Sequence, residues 1–252
     1  RLGSRRGGGG ERLGYLEGSF GRLIDALAQR VRVGDGLILA GTPVKRIVVE
    51  DGHVTGAISS GGEVSAQDAI LATVPSPTFL GLVPELPSDY SRLLVQTRYL
   101  GAMCAVLVLK KPFGSVYWLN IGDRSFPFVA TIEQTNFLTP SEYDGKHILY
   151  VSNYLPSSNR IYQMQPAKLV AHYTSHLKKI NPQFDSDWIE QYHVFKESFA
   201  QPIVPVNYSG QIADLVTPIS GLYLANTTQI YPEDRGMNQA VRLGLKAAGL
   251  VG

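Results

Sequence analysis

Gly221-Leu222-Tyr223-Leu224-Ala225-Asn226, and after a short gap Tyr231-Pro232-Glu233-Asp234-Arg235-Gly236-Met237-Asn238-Gln239-Ala240-Val241-Arg242-Leu243-Gly244, is the stretch on which the fold turns. Residues 221–225 read as a short buried strand, 226–235 as a polar turn and 236–249 as a helix. Gly236, Ala240, Gly244 and Ala248 recur every fourth residue and give that helix one face of small side chains. Such a face admits either a tightly packed backbone or a flat ligand. The first turn also presents unpaired N–H groups and the positive end of the helix dipole, an anion-receptive end.

Upstream of this stretch the chain changes character. Residues 98–109 form a long strand candidate, with further strands over 126–133, 147–153 and 188–198. Pro166 starts a helix running to Ile180, with Leu169, Tyr173, Leu177 and Ile180 on one face. Residues 84–87 read as a loop. Aromatics crowd residues 117–162, either as sheet core or as the lining of an apolar cavity.

The front resembles the end in style. Phe20, Leu23, Ile24, Leu27 and Val31 recur at helical spacing, with Ser19 as cap and Gly34 as a left-handed stop. Leu37–Leu39 reads as a short strand. Residues 44–50, 53–59 and 63–66 form a meander around the Asp51-Gly52 and Gly61-Gly62 turns. Residues 69–73 make another buried strand, stopped by Pro75 and Pro77. The whole is α+β: a mainly antiparallel sheet with helices, flanked by a helix, a β-meander and the strand–helix end.

Composition narrows the function classes. The 252 residues are 44% hydrophobic and 17% charged, which excludes wholesale disorder, and a net charge of +2 gives no reason to expect a nucleic-acid partner. One cysteine excludes an intramolecular disulfide framework and any cysteine-rich metal site, and it fits a reducing compartment, here taken as the cytoplasm. The longest apolar run, residues 100–109, falls short of the roughly 20 residues of a membrane span. The opening is glycine-rich and lacks a signal pattern and an initiator Met. Residues 1–13 are expected to be a flexible segment, and the chain to be the interior of a longer protein. A processed N-terminus is the alternative.

Taken together, 221–226 and 231–244 resemble the C-terminal flavin segment of the amine oxidase, protoporphyrinogen oxidase and phytoene desaturase superfamily. The front is similar too, in Gly14-Tyr-Leu-Glu-Gly-Ser19, Thr42-Pro-Val-Lys-Arg-Ile47, Val54-Thr-Gly56, Gly62-Glu63 and Asp68-Ala-Ile-Leu-Ala-Thr-Val-Pro75, and Lys110-Lys-Pro-Phe113 resembles the start of the family's substrate domain. The resemblance runs from Gly14 onward. It implies a partial FAD-binding domain over 14–78 and 218–252 and a substrate-binding domain over 79–217.

The resemblance also implies site residues. Val44 matches the strand valine whose backbone holds the adenine. Gly236, Met237 and Asn238 match the helix start whose N–H groups face the flavin pyrimidine carbonyl. Asn226 and Thr227 stand near the ribityl-pyrophosphate position, where the family usually has a glycine and an acidic residue. Cys104 stands where amine oxidases carry a lysine near flavin N5, which weighs against ordinary amine oxidation. No catalytic side chain is identified.

One motif is absent. A dinucleotide-binding fold needs G-x-G-x-x-G after a strand, and no such motif occurs. The family places that unit N-terminal to everything seen here, so FAD is expected in the full-length protein and weakly or not at all on this chain alone. An exposed apolar face is expected on the first and last helices, where the missing half docks.

Other patterns have plainer readings. His172 and His176, four apart on a helix, lack a third ligand and read as edge histidines, so no metal is expected. Gly18-Ser19-Phe20-Gly21 lacks the first glycine of a nucleophile elbow and reads as a helix cap. Glu233-Asp234 suits capping as well as acid–base work. Lys196, Glu197 and Gln201 read as a solvated strand end, with the edge of a substrate site as the alternative.

Three functions follow from this. The first is the C-terminal portion of a flavin-dependent oxidoreductase, oxidising a small apolar substrate by hydride transfer to FAD. The second is a non-redox flavin mutase or isomerase. The third is a stand-alone binding module that has lost the cofactor domain.

Overall fold

The computed structural model describes residues 14–65 and 68–251. The expected flexible stretch 1–13 and Ala66, expected at a strand end, lie outside them. The helical periodicity of the front produces α1 (Gly21–Val33). Its ends differ from expectation. Phe20 holds the cap position, and Ser19, at φ 80°, instead accepts the Gly21 N–H through its hydroxyl at 3.2 Å. Gly34 has φ −92°, and the left-handed residue is Asp35 at φ 61°, because the Gly34, Asp35 and Gly36 N–H groups all fold back onto carbonyls of the last turn.

The meander forms as β1 (Val44–Glu50), β2 (His53–Ser59) and β3 (Gly62–Ser65), antiparallel in the order β1-β2-β3. Asp51 (φ 49°) and Gly52 (φ 76°) are both left-handed, as a tight hairpin turn demands. Gly56 has no room for a side chain: a Cβ there would stand 2.6 Å from the Val64 carbonyl oxygen. Leu37–Leu39 forms no strand, and all three side chains are exposed.

The expected strand at 69–73 is β4 (Ile70–Ala72), paired in parallel with β10 (Leu222–Leu224), 150 residues away. Two helices that the prolines concealed follow it: α2 (Ser76–Leu82) and α3 (Ser88–Gln96). Pro77 sits in the first turn of α2 and Pro87 caps α3, where a missing N–H costs nothing. Phe79, Val83, Tyr90 and Leu94 from this pair pack with Ile47, Val54, Leu222 and Leu224 into one core.

The second core lies under a five-stranded antiparallel sheet. β5 (Tyr99–Leu109), β6 (Trp118–Asn120), β7 (Ala130–Glu133), β8 (His147–Leu155) and β9 (Ile189–Pro202) run in the order β6-β7-β8-β5-β9. Alternation along β5 sends Met103, Ala105, Leu107 and Leu109 to one face, all buried. There they meet Leu169, Val170, Tyr173 and Leu177 of α4 (Pro166–Ile180), which keeps its expected bounds. Burying such apolar side chains contributes roughly 1.5–3 kcal/mol each.

Glu133 closes this layer. Its buried carboxylate accepts the N–H groups of Phe113 (2.8 Å) and Gly114 (2.7 Å) and the Asn136 amide (3.2 Å). Burial pushes its pKa up, partly offset by these hydrogen bonds and by His147.

The last helix is α5 (Met237–Val251). It rests on the rest of the chain through Ala247 and Leu243, against Leu215 and Ala225. The apolar residues of both terminal helices face outward: α1 has no buried residue, Ile24 and Leu27 are 63% and 55% exposed, and Val241 and Leu245 of α5 are 53% and 71% exposed. No helix among the described residues is long and apolar enough to cross a membrane.

Candidate functional site

The strand–turn–helix end of the chain borders a cavity of about 430 Å³. Leu71, Thr73 and Pro75 come from the end of β4, and Ala225, Asn226, Thr227 and Ile230 from the turn after β10. Glu197, Phe199 and Ala200 come from β9, and Ala240, Leu243 and Gly244 from α5. The parallel pairing of β4 with β10 aligns their C-terminal ends, and the cavity opens beyond those ends, the usual ligand position in a parallel arrangement. Its volume falls within the roughly 300–1,000 Å³ of small-molecule sites.

The small face of α5 does not pack on the sheet. Ala240 and Gly244 line the cavity, and a Cβ added at Gly244 would meet nothing within 4 Å. Within the described residues this part of the small face is therefore open, with no backbone packed on it.

Asn226 is nearly buried, and its side chain is committed to the turn. Its Oδ1 accepts the Thr228 N–H (3.0 Å) and hydroxyl (2.7 Å), its Nδ2 donates to the Val74 carbonyl (3.0 Å), and its own N–H donates to Gln229 Oε1 (2.8 Å). This is a reciprocal capping box on the single 3-10 turn Thr227–Gln229. Thr227 is exposed, and its carbonyl accepts from Arg235 Nε at 2.9 Å. Asn226 therefore shapes the cavity wall, leaving its surface and that of Thr227 for a ligand.

Beyond Asn226 and Thr227, the other residues implied by the family resemblance lie outside the lining. Gly236, Met237 and Asn238 form the start of α5, ahead of Ala240. Gly236 N–H donates to the Asp234 carbonyl, and Gln239 and Ala240 donate back to Gly236. Met237 and Asn238 stand in the first turn of α5, where a helix directs its N–H groups outward along its axis. Val44 begins β1 in the three-stranded sheet and is 45% exposed.

Sequence reading placed Glu197 at the edge of a substrate site only as an alternative, and it missed Phe199 and Ala200 in the wall. Glu197 lines the cavity, whereas the adjacent Lys196 turns to the opposite sheet face, donating to the Met164 carbonyl at 2.6 Å and lying 5.6 Å from the Tyr162 ring centroid. Phe199 and Ala200 follow an irregularity in the β5–β9 register between Leu100 and Ala102, which breaks the alternation by which a facing residue is read.

Other candidates resolve plainly. Cys104 is half-buried in β5 between Ser152 and Phe195, and burial pushes its thiol up to about 11, an unreactive position. His176 Nδ1 lies 3.0 Å from the His172 carbonyl, and no group of three potential metal ligands occurs among the described residues. The aromatics of residues 117–162 divide: Phe126, Phe128 and Tyr162 join the core under the sheet, whereas Trp118 and Tyr154 are exposed on its other side.

Comparison with known proteins follows the same lines. An oxidoreductase from Methanosarcina mazei shares the fold at TM-score 0.69 and 19% identity, over 93% of this chain and 55% of that one. Cyclohexylamine oxidase from Brevibacterium oxydans aligns at TM-score 0.63 and 15% identity, over 92% and 52%. A reduced UDP-galactopyranose mutase aligns at TM-score 0.61 and 13% identity, over 77% and 42%. The chain thus spans about half the length of these solved structures. No curated protein matches it. The family model for flavin containing amine oxidoreductases matches residues 2–252. By that match over nearly its whole length, the chain belongs to the flavin containing amine oxidoreductase family.

Proposed function

We propose that the chain is the substrate-binding and C-terminal cofactor portion of an FAD-dependent oxidoreductase acting on a small apolar substrate. The observation that carries this reading is the apolar cavity beyond β4 and β10, with Ala240 and Gly244 of α5 leaving space along one wall. A flat, largely apolar ring with a polar edge suits those walls. A flavin held there would supply the redox chemistry.

The chain's own residues bind and orient. Met237 and Asn238 offer their N–H groups to the pyrimidine carbonyl, with the helix dipole behind them. Asn226 and Thr227 shape the ribityl side, and the Val44 backbone holds the adenine. Phe199, Leu71, Ile230 and Leu243 exclude water from the ring. Residues 14–78 and 218–252 form the cofactor part and 79–217 the substrate part. The pyrophosphate is gripped by an N-terminal dinucleotide-binding unit, which docks on the exposed apolar faces of α1 and α5. A lone, half-buried thiol suits the reducing cytoplasm.

The test is the flavin spectrum of the full-length protein, followed by anaerobic addition of apolar substrates. Bound FAD that bleaches on substrate addition supports the reading. Turnover without net bleaching assigns a mutase instead. A full-length protein that takes up no FAD refutes both. On the 252-residue chain alone, FAD binds weakly or not at all, and tight stoichiometric binding there overturns the need for the docked unit.

A further inference from the structure

Of the thirteen described residues around the cavity, Glu197 is the only ionisable one. It stands on β9 opposite Ala102, just before the register irregularity. Its Oε1 accepts the Phe199 N–H at 3.0 Å, which fixes the carboxylate against the strand. Among the described residues no lysine, arginine or histidine pairs with it. Its neighbour Lys196 is held on the other face of the sheet. Glu197 is exposed in this chain and adds one negative charge to a wall otherwise made of apolar residues, Thr73, Asn226 and Thr227.

We infer that Glu197 sets the reduction potential of the flavin. This rests on the reading of the cavity as the flavin site. Reduction places electron density on the ring, and a fixed carboxylate beside it opposes that change. A bound ring and a docked partner displace water and lower the local dielectric, which strengthens the opposition. The carboxylate thus holds the potential low. Glu197 is a tuning residue and takes no part in bond making.

The experiment is a dye-equilibrated redox titration of the full-length holoenzyme and two variants. Glu197→Gln keeps the length of the side chain and a carbonyl acceptor for the Phe199 N–H, so the strand irregularity is retained while the charge is lost. Glu197→Asp keeps the charge. In Glu197→Gln the midpoint rises by about 15–30 mV, a roughly three- to tenfold shift of a two-electron equilibrium. In Glu197→Asp it stays closer to the parent value. A parent-like midpoint in Glu197→Gln, or equal shifts in both variants, overturns this inference while leaving the flavin site standing. A full-length protein devoid of flavin overturns both.

Discussion

Glu133 offers the sharpest test of what holds the five-stranded layer together. Replacing it with Ala removes the acceptors of the Phe113 and Gly114 N–H groups, at 2.8 and 2.7 Å, and the partner of the Asn136 amide. A buried donor left without a partner costs about 1–3 kcal/mol, so two backbone N–H groups cost roughly 2–6 kcal/mol. Relief from burying a charge offsets part of this, because burial raises the Glu133 pKa above its ordinary value. The net loss is then about 2–4 kcal/mol. Native-state hydrogen exchange followed by mass spectrometry reads it locally: protection at residues 113–114 falls, and β5 and β8 follow only in part. Glu133→Gln separates charge from hydrogen bonding. A raised folded-state pKa means that the stabilisation is complete below the unfolded value and is lost as pH rises through the folded one. Glutamine has no such dependence, so its deficit against the parent is largest near pH 4 and shrinks toward pH 7. Unchanged protection at 113–114 in the alanine variant, or a glutamine deficit that grows with pH, refutes the reasoning.

Two further outcomes are expected. Asn226→Ala breaks the bonds to Val74, Thr228 N–H and the Thr228 hydroxyl, and lowers stability by about 2–4 kcal/mol in urea unfolding without any flavin present; parent-like stability would show that the turn does not depend on this side chain. Leu245→Glu changes stability by under about 0.5 kcal/mol because the side chain is 71% exposed, yet it reduces self-association of the chain in sedimentation velocity; undiminished association would mean that the α5 face is not the contact.

The long elements were legible because their periodicities are clean. Leu169, Tyr173 and Leu177 mark α4 at helical spacing, and β5 alternates without interruption from Gly101 to Leu109. Prolines hid α2 and α3: Pro75, Pro77, Pro84 and Pro87 read as breakers, although proline is well placed at a helix start. Leu37–Leu39 misled in the other direction, since an apolar triplet reads as a buried strand yet here is exposed. Part of the site, Ala240 and Gly244, was visible in the small-residue spacing of the last helix, and Asn226 and Thr227 through the family resemblance. Glu197 was weighed only as an alternative, and Phe199 and Ala200 were not legible, because the register irregularity there erases the period of two. The Asn226–Gln229 capping box was written in the sequence, but it looked like a family departure rather than a turn being stitched.

The pairing of Ile70–Ala72 with Leu222–Leu224 imposes an order on biosynthesis. The strands of the five-stranded sheet and α4 all lie between Tyr99 and Pro202, so that layer can close while the ribosome is still adding the residues that follow. β4 emerges early and waits through the synthesis of 150 residues before its partner exists. Until then Leu71 and its neighbours present an unpaired edge, the kind of surface that chaperones engage. The cavity, which needs both strands and α5, thus takes shape only after the five-stranded layer can close.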